Sequence, residues 1–316
     1  MTRGHGEKRT LRYKGARKED TVQIRQLEYF VALAAERHFT KASEVCHVSQ
    51  PAFSEALGKL ERELRVPLVR RGHAFEGLTP EGERLLVWAR RLLADHEAMR
   101  AEADALRVGV SGRARIGAVP GAAAVAAKLI APFCARHPLA TVQLATHLSF
   151  SEILRQVRDF ELDAGITFLD EGTEGLPSLL LYEERYMLLA SKRLLAERDG
   201  PVPWTQASAL PMAALAAGMR GRALVDDACA QAGVQVDVQV QTDSIESLCA
   251  LAGTGRWATV APSSWVQAWE FSGDIAAVPI IEPEVVTRMG LVFTASTPTP
   301  ALTTALFDVA RRLKLG

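Results

Sequence analysis

The chain has 316 residues, 48% hydrophobic and 23% charged, with 37 Lys/Arg balanced by 37 Asp/Glu. That length supports two or three hydrophobic cores. No run of about 18 uncharged apolar residues marks a membrane span, and the polar N-terminus is no secretory signal, so a cytoplasmic protein without membrane contact is expected. Cys46, Cys134, Cys229 and Cys249 stand far apart, with no C-x-x-C pair and no zinc spacing, and read as free thiols.

The zero net charge hides an asymmetry. Residues 1–80 carry 15 Lys/Arg against 10 Asp/Glu, and residues 81–316 carry 22 against 27. A basic head on an acidic body fits a nucleic-acid-binding module attached to a body that stays off DNA. Residues 1–21 are polar and aperiodic and read as a disordered basic arm. Leu27, Phe30, Val31 and Ala34 then recur at i, i+3, i+4 and i+7, the stripe of an amphipathic helix. Thr40 is placed to cap a short second helix from Lys41 to about Val45. Ser49 caps a third, Gln50 to Leu64, with Pro51 in its first turn and Phe53, Leu57, Leu60 and Leu64 facing inward.

Three short helices with a tight turn before the third form either a plain bundle or a helix-turn-helix. In the second case the start of the third helix enters the major groove. Gln50 and Ser54 there suit base edges, and small Pro51 and Ala52 permit close approach. Residues 66–79 read as a two-stranded wing whose Arg70, Arg71 and His73 lie along phosphates. The residues themselves decide between bundle and helix-turn-helix. The elements FT-KAS, VSQPA-S, LE-EL, VPL-RR and LTPEG occur in order and resemble the DNA-binding domain of LysR-type transcriptional regulators. The resemblance implies a winged helix-turn-helix over 22–79, with Thr40, Lys41, Ser49, Gln50, Pro51, Ser54, Glu55, Lys59, Arg70 and Arg71 at the operator. Glu55 stands where many members carry Arg; it either accepts from a cytosine amino group or pairs with Lys59, the second being preferred. Arg65 replaces a usual Gly at the helix end, and Val69 a usual Phe, so that end is expected to be shaped differently.

Residues 80–107 read as one long helix. Leu85, Leu92, Met99 and Leu106 recur every seven residues, with Ala89, His96 and Ala103 four positions after the first three. This a/d seam suits pairing with a second copy. The resemblance implies the same dimer, and a homotetramer through the bodies. Packing of the seam on the chain's own body is the alternative, and His96 reads as a satisfied polar residue rather than a pH switch.

Residues 108–316 alternate strand and helix. RIGAV, TVQLAT, DAGITF, LPMAAL, VDVQVQ and WATVAP read as strands, which implies a mainly parallel α/β sheet. The order, with ELDAGITF, LLLYEERYMLLAS and GTGRWATVAPSSW, resembles the LysR effector-binding domain, a two-subdomain fold similar to periplasmic binding proteins. One subdomain would comprise about 113–182 and 287–316, the other 183–286. A ligand belongs at the strand ends between them. Pro120, Gly121, Ala122, Ser149, Ser151, Thr242 and Ser244 stand there, at helix starts that favour an anion, and no acidic side chain is expected to intrude. Many members carry Ser or Thr where Gly121 stands, which leaves backbone N–H groups as donors. Each hydroxyl has helix capping as its alternative role.

An enzyme is not expected. G-x-S-x-G, H-E-x-x-H and a P-loop are absent, and GTGRWA precedes a strand instead of opening a helix after one. The expected function is a regulator whose operator binding or DNA bending answers to a small anionic metabolite, with no cofactor. RNA polymerase is a partner if the protein is an activator rather than a repressor. The alternative is a thiol-based redox sensor using Cys229 and Cys249.

Overall fold

The computed structural model describes residues 21–72, 74–196, 200–268 and 274–313. The basic arm up to residue 20 and His73 of the wing lie outside the described residues. The chain divides into two compact units between Asp95 and His96.

The first unit begins with α1 (Ile24–Glu36), α2 (Phe39–Val45) and α3 (Gln50–Leu64). Leu27, Phe30 and Leu33 of α1 and Phe53, Leu57 and Leu60 of α3 are all buried in one cluster. Each such side chain contributes about 1.5–3 kcal/mol of burial. Tyr29 stacks on Phe53 with ring centroids 5.0 Å apart. The N-cap of α2 is His38, whose Nδ1 accepts the Lys41 N–H at 3.5 Å. Thr40, expected in that role, sits inside the first turn instead. Ser49 caps α3 by accepting from the Ala52 N–H at 3.4 Å, and Pro51 occupies the first turn, where a missing donor costs nothing.

Arg65 closes α3 in the left-handed conformation at φ 57°. The helix end therefore keeps a shape natural to Gly, contrary to the altered shape expected, and Arg65 carries the strain. The wing follows as β1 (Val69–Arg71) and β2 (Phe75–Leu78), paired antiparallel. Glu61 ties it to α3, its Oε1 accepting from the Leu68 and Val69 N–H groups at 2.9 and 3.2 Å.

Helix α4 (Pro80–Val108) has 29 residues and spans about 43 Å at 1.5 Å per residue. Its first turns finish the head: Leu86 and Ala89 are buried in the α1–α3 cluster, and Leu85 and Leu93 pack against it.

The second unit continues through β3 (Ser111–Ala118), a 3-10 turn at Pro120–Ala122, α5 (Ala123–Arg136), β4 (Leu139–Ala145), α6 (Phe150–Arg158), β5 (Ala164–Phe168), a 3-10 turn at Glu171–Thr173, and β6 (Ser178–Ser191). After β6 come β7 (Val202–Pro203), α7 (Trp204–Ala207), β8 (Met212–Leu215), α8 (Arg220–Gln231), β9 (Val238–Thr242), α9 (Ile245–Gly253), β10 (Thr259–Pro262) and α10 (Ser263–Ala268). The unit ends with β11 (Ile275–Ile281), β12 (Val286–Phe293) and α11 (Ala301–Arg312).

The sheet is mixed rather than mainly parallel. β3 pairs parallel with β4 and β5, whereas β12 runs antiparallel between β5 and the first half of β6. The second half of β6 pairs antiparallel with β10 and β11. This 14-residue strand thus serves both subdomains. Its middle faces the returning chain: Arg185 pairs with Glu284 at 2.7 Å, and the Tyr186 N–H donates to the Val285 carbonyl. Separate cores fill the two subdomains, one around Ile116, Phe133, Ile153 and Leu291 and the other around Trp204, Leu188, Met212 and Ile280. β6 carries the chain out of the first subdomain and β12 brings it back, so the two run in opposite directions and pair antiparallel, a feature no local pattern carries.

Candidate functional site

In the head, Thr40, Lys41, Ser49, Gln50, Pro51, Glu55, Lys59 and Arg70 are exposed and Ser54 is half-buried. The Thr40 hydroxyl donates to Gln50 Oε1 at 3.2 Å, so the starts of α2 and α3 meet at one surface. Arg71 lies in β1, paired across the wing with Phe75. The preferred Glu55–Lys59 pair does not form. Lys59 Nζ lies 3.7 Å from Glu63 Oε1 instead. Both carboxylates are four residues from Lys59, but Glu63 is also held by Gln26 Nε2 at 3.0 Å, which fixes it on that side. Glu55 remains on the outer face beside Pro51 and Ser54.

Along α4 the seam is divided. Ala89 is buried in the head's own core and Leu85 packs half-buried against it, so the first layer contributes to the head. Leu92, Met99 and Leu106 are 49%, 65% and 84% exposed, and Trp88, which the seven-residue count passed over, is 61% exposed. His96 is half-buried and Ala103 exposed.

In the second unit a cleft of about 750 Å³ opens between the subdomains. Pro120, Gly121, Ser149, Ser151 and Ser244 line it. Ala122 does not, being fully buried in the first core, and neither does Thr242, whose Oγ1 accepts the Ser244 N–H at 3.2 Å. All three of these cleft hydroxyls are engaged locally, Ser151 Oγ lying 3.3 Å from Ser149 Oγ. Ser149 and Glu152 form a capping box: the serine Oγ donates to Glu152 Oε2 at 2.7 Å and accepts the Glu152 N–H at 3.3 Å. Ser244 Oγ donates to Glu246 at 2.8 Å and accepts the Ser247 N–H at 3.1 Å. The S-x-x-E spacing from Ser149 is a sequence signature of that box.

The cleft is not free of acids, as it was expected to be: Glu152 and Asp243 both line it. Hydrogen bonds from the Ser149 hydroxyl and backbone hold the Glu152 carboxyl below its ordinary pKa. Arg220, Phe150, Phe168 and Met219 also line the cleft, and sequence reading missed them. Arg220 was within reach, because it follows β8 as Gly121 follows β3.

Among the described residues, two polar contacts cross the cleft. Trp265 Nε1 donates to the Gly121 carbonyl at 3.0 Å, and Arg220 Nη2 lies 2.9 Å from Asp170 Oδ2. A Cβ at Gly121 would sit 3.6 Å from Ile245 Cδ1 and 3.7 Å from Pro262 Cγ, both on the opposite subdomain. Behind the cleft, buried Glu184 accepts from the Ser263 hydroxyl at 2.9 Å and from the Ser264 N–H at 3.1 Å. The nearby Tyr186 phenol is pushed well up, first by burial and then by Glu184.

Neither candidate redox thiol reaches this cleft. Cys229 is buried in the core of β6, β11 and α7, and Cys249 in the cluster under α9. Burial, and then Asp226, raises the Cys229 thiol, with Arg222 opposing. Burial and then Glu246 push Cys249 up to about 11.

Residues 24–83 match the family model described as bacterial regulatory helix-turn-helix protein, lysR family, and residues 107–314 match the LysR substrate binding domain. The chain is 30% identical over 286 residues to the DNA-binding transcriptional dual regulator OxyR of Escherichia coli, covering 88% of this chain and 91% of that one. It is 28% identical over 286 residues to a hydrogen peroxide-inducible genes activator of Dickeya chrysanthemi, with the same coverage. A full-length OxyR variant from Pseudomonas aeruginosa superimposes with a TM-score of 0.76 at 24% identity, over 93% of this chain and 96% of that one. Full-length CbnR in complex with its target DNA gives 0.66 at 22%, over 92% and 99%.

Proposed function

We propose, for a chain that belongs to the LysR family of bacterial transcriptional regulators, that a small metabolite with an anionic group binds in the effector cleft and modulates operator binding or operator bending. Its family and relatives are regulators, not enzymes. The observation that carries the reading is the cleft itself. It has about 750 Å³ of space at the helix starts of both subdomains, a guanidinium in its wall, and no cysteine among the described residues that line it. The start of α3 reads base edges through Gln50 and Ser54, and Arg70 of the wing lies along phosphates. Copies pair through the exposed part of α4, and two such dimers join through the bodies. A ligand shifts this assembly by its different affinity for the open and closed cleft, so bending of DNA is free to change more than affinity. RNA polymerase is a partner where that bending activates.

A second reading has one observation in its favour: relatives at 28% and 30% identity carry names tied to hydrogen peroxide or OxyR. Against it stand the burial and raised pKa of both Cys229 and Cys249, because the thiolate is the reactive form. Footprinting on the protein's own upstream region, with and without peroxide, separates the two. A footprint that ignores peroxide in the wild type supports metabolite sensing. A footprint that shifts with peroxide, and stops shifting in Cys229→Ser or Cys249→Ser, would overturn it.

A further inference from the structure

We propose that Arg220 receives the carboxylate of the cleft ligand, that the Arg220–Asp170 ion pair is a latch the ligand must exchange, and that the ligand is a monocarboxylate with an apolar body. This rests on the reading of the cleft as the effector site.

The latch joins the two halves directly. Asp170 follows β5 in the first subdomain, and Arg220 opens α8 in the second. Their side chains are 26% and 39% exposed, so water reaches the pair. Asp170 is anchored on its own side, where Oδ1 accepts the Gly172 N–H at 3.0 Å. Arg220 is the exchangeable partner. Its planar fork has five donors, and the bond to Asp170 engages Nη2. Two residues on, Arg222 shows the opposite arrangement, locked to the Leu215 carbonyl at 3.0 Å and to Asp226 at 2.7 Å. Among the described residues lining the cleft, Arg220 supplies the one permanent positive charge.

The rest of the lining defines what accompanies the carboxylate. Phe150, Phe168, Met219, Leu215 and Ile245 offer apolar and aromatic surface. Glu152 and Asp243 face the same space, and a dianion or trianion would sit against both. One negative charge on an apolar body is the chemistry that satisfies every wall. A partly exposed ion pair is worth little net, so a carboxylate delivered by burial of its apolar body displaces Asp170. The direct bridge between subdomains then becomes one that runs through the ligand, which alters their spacing only when the cleft is occupied.

Isothermal titration of the full chain tests this with hexanoate, benzoate and 3-phenylpropionate, each beside its primary amide. At least one carboxylate is expected to bind, roughly tenfold or more tighter than its amide. Arg220→Ala should bring the carboxylate down to the amide's level, and Arg220→Lys should fall between. Asp170→Asn keeps the acceptor for Gly172 while removing the competing charge, and should tighten carboxylate binding roughly threefold. Operator binding without ligand, measured on every variant, reports that each is folded. Carboxylates and amides binding alike, unchanged affinity in Arg220→Ala and Arg220→Lys, or weaker binding in Asp170→Asn would each overturn the proposal. No binding by any of the three acids overturns the ligand class. Gly121→Leu distinguishes the underlying reading. If it abolishes binding while the Arg220 variants do nothing, the cleft stands and Arg220 falls. If carboxylates bind regardless of both positions, the cleft reading itself fails.

Discussion

Met99→Asp on α4 puts the pairing of two copies to a direct test. Met99 is 65% exposed within one chain, and Leu92 and Leu106 on the same seam are 49% and 84% exposed. Full burial of a side chain of this size is worth about 1.5–3 kcal/mol, so each copy of Met99 contributes on the order of 1.5 kcal/mol to a dimer. An aspartate there forfeits that and places a charge in the seam, at several kcal/mol for each copy. The two copies together lose on the order of 8 kcal/mol, which raises the dissociation constant by roughly five to six powers of ten. Sedimentation velocity at micromolar concentration should show the wild type as a dimer or larger and Met99→Asp as a smaller species. Arg100→Ala, one position off the seam, is the control and should keep the wild-type mass. A Met99→Asp protein of unchanged mass would refute the seam, and with it the use of the exposed stretch of α4 for assembly.

Arg65→Gly should stabilise the head by about 1 kcal/mol in urea unfolding, because Arg65 holds φ 57° where Gly carries no Cβ penalty. Arg70→Ala should weaken binding to all duplexes alike and lower the slope of log K against log salt by about 0.9. Ser54→Ala should change discrimination between operators without that slope change, and equal slopes for Arg70→Ala and wild type would dismiss the wing assignment. Gly121→Ala should respond to ligand nearly as wild type, since its Cβ makes ordinary contacts at 3.6 and 3.7 Å. Gly121→Leu, by contrast, overpacks the closed cleft by about 1–3 kcal/mol and should lose the response in a reporter assay while keeping its operator footprint. Burial keeps the proton on Cys249, so the unfolded chain ionises first as pH rises. The contribution of this thiol to stability is complete below its ordinary value of 9.0 and is lost as pH climbs to about 11. Alkylation of native Cys249 should stay slow until that range, and rapid labelling at neutral pH would contradict its burial.

How much was legible in advance depended on how far apart the interacting residues lie in the chain. The core face of α3 and its cap at Ser49 follow from neighbours three and four positions apart, and they stand in the structure at Gln50–Leu64. The capping box of Ser149 and Glu152 is equally local; it claims a hydroxyl that had also been open to a ligand. Where two local partners were equivalent, the sequence could not choose. Lys59 is four residues from both Glu55 and Glu63, and Gln26, 37 positions from Glu63, settles the pairing.

Periodicity, capping and the ordered elements around VSQPA determined the head, the long helix and the alternation of the body, because these are written in contacts within a few residues. Only the tertiary structure decided that Leu85 and Ala89 pack with the head's core, that β12 enters between β5 and β6, and that Arg220 meets Asp170 across the cleft. Those outcomes depend on which segments share space once the chain has folded back on itself, and a helical or strand period carries no information about a partner outside its own element.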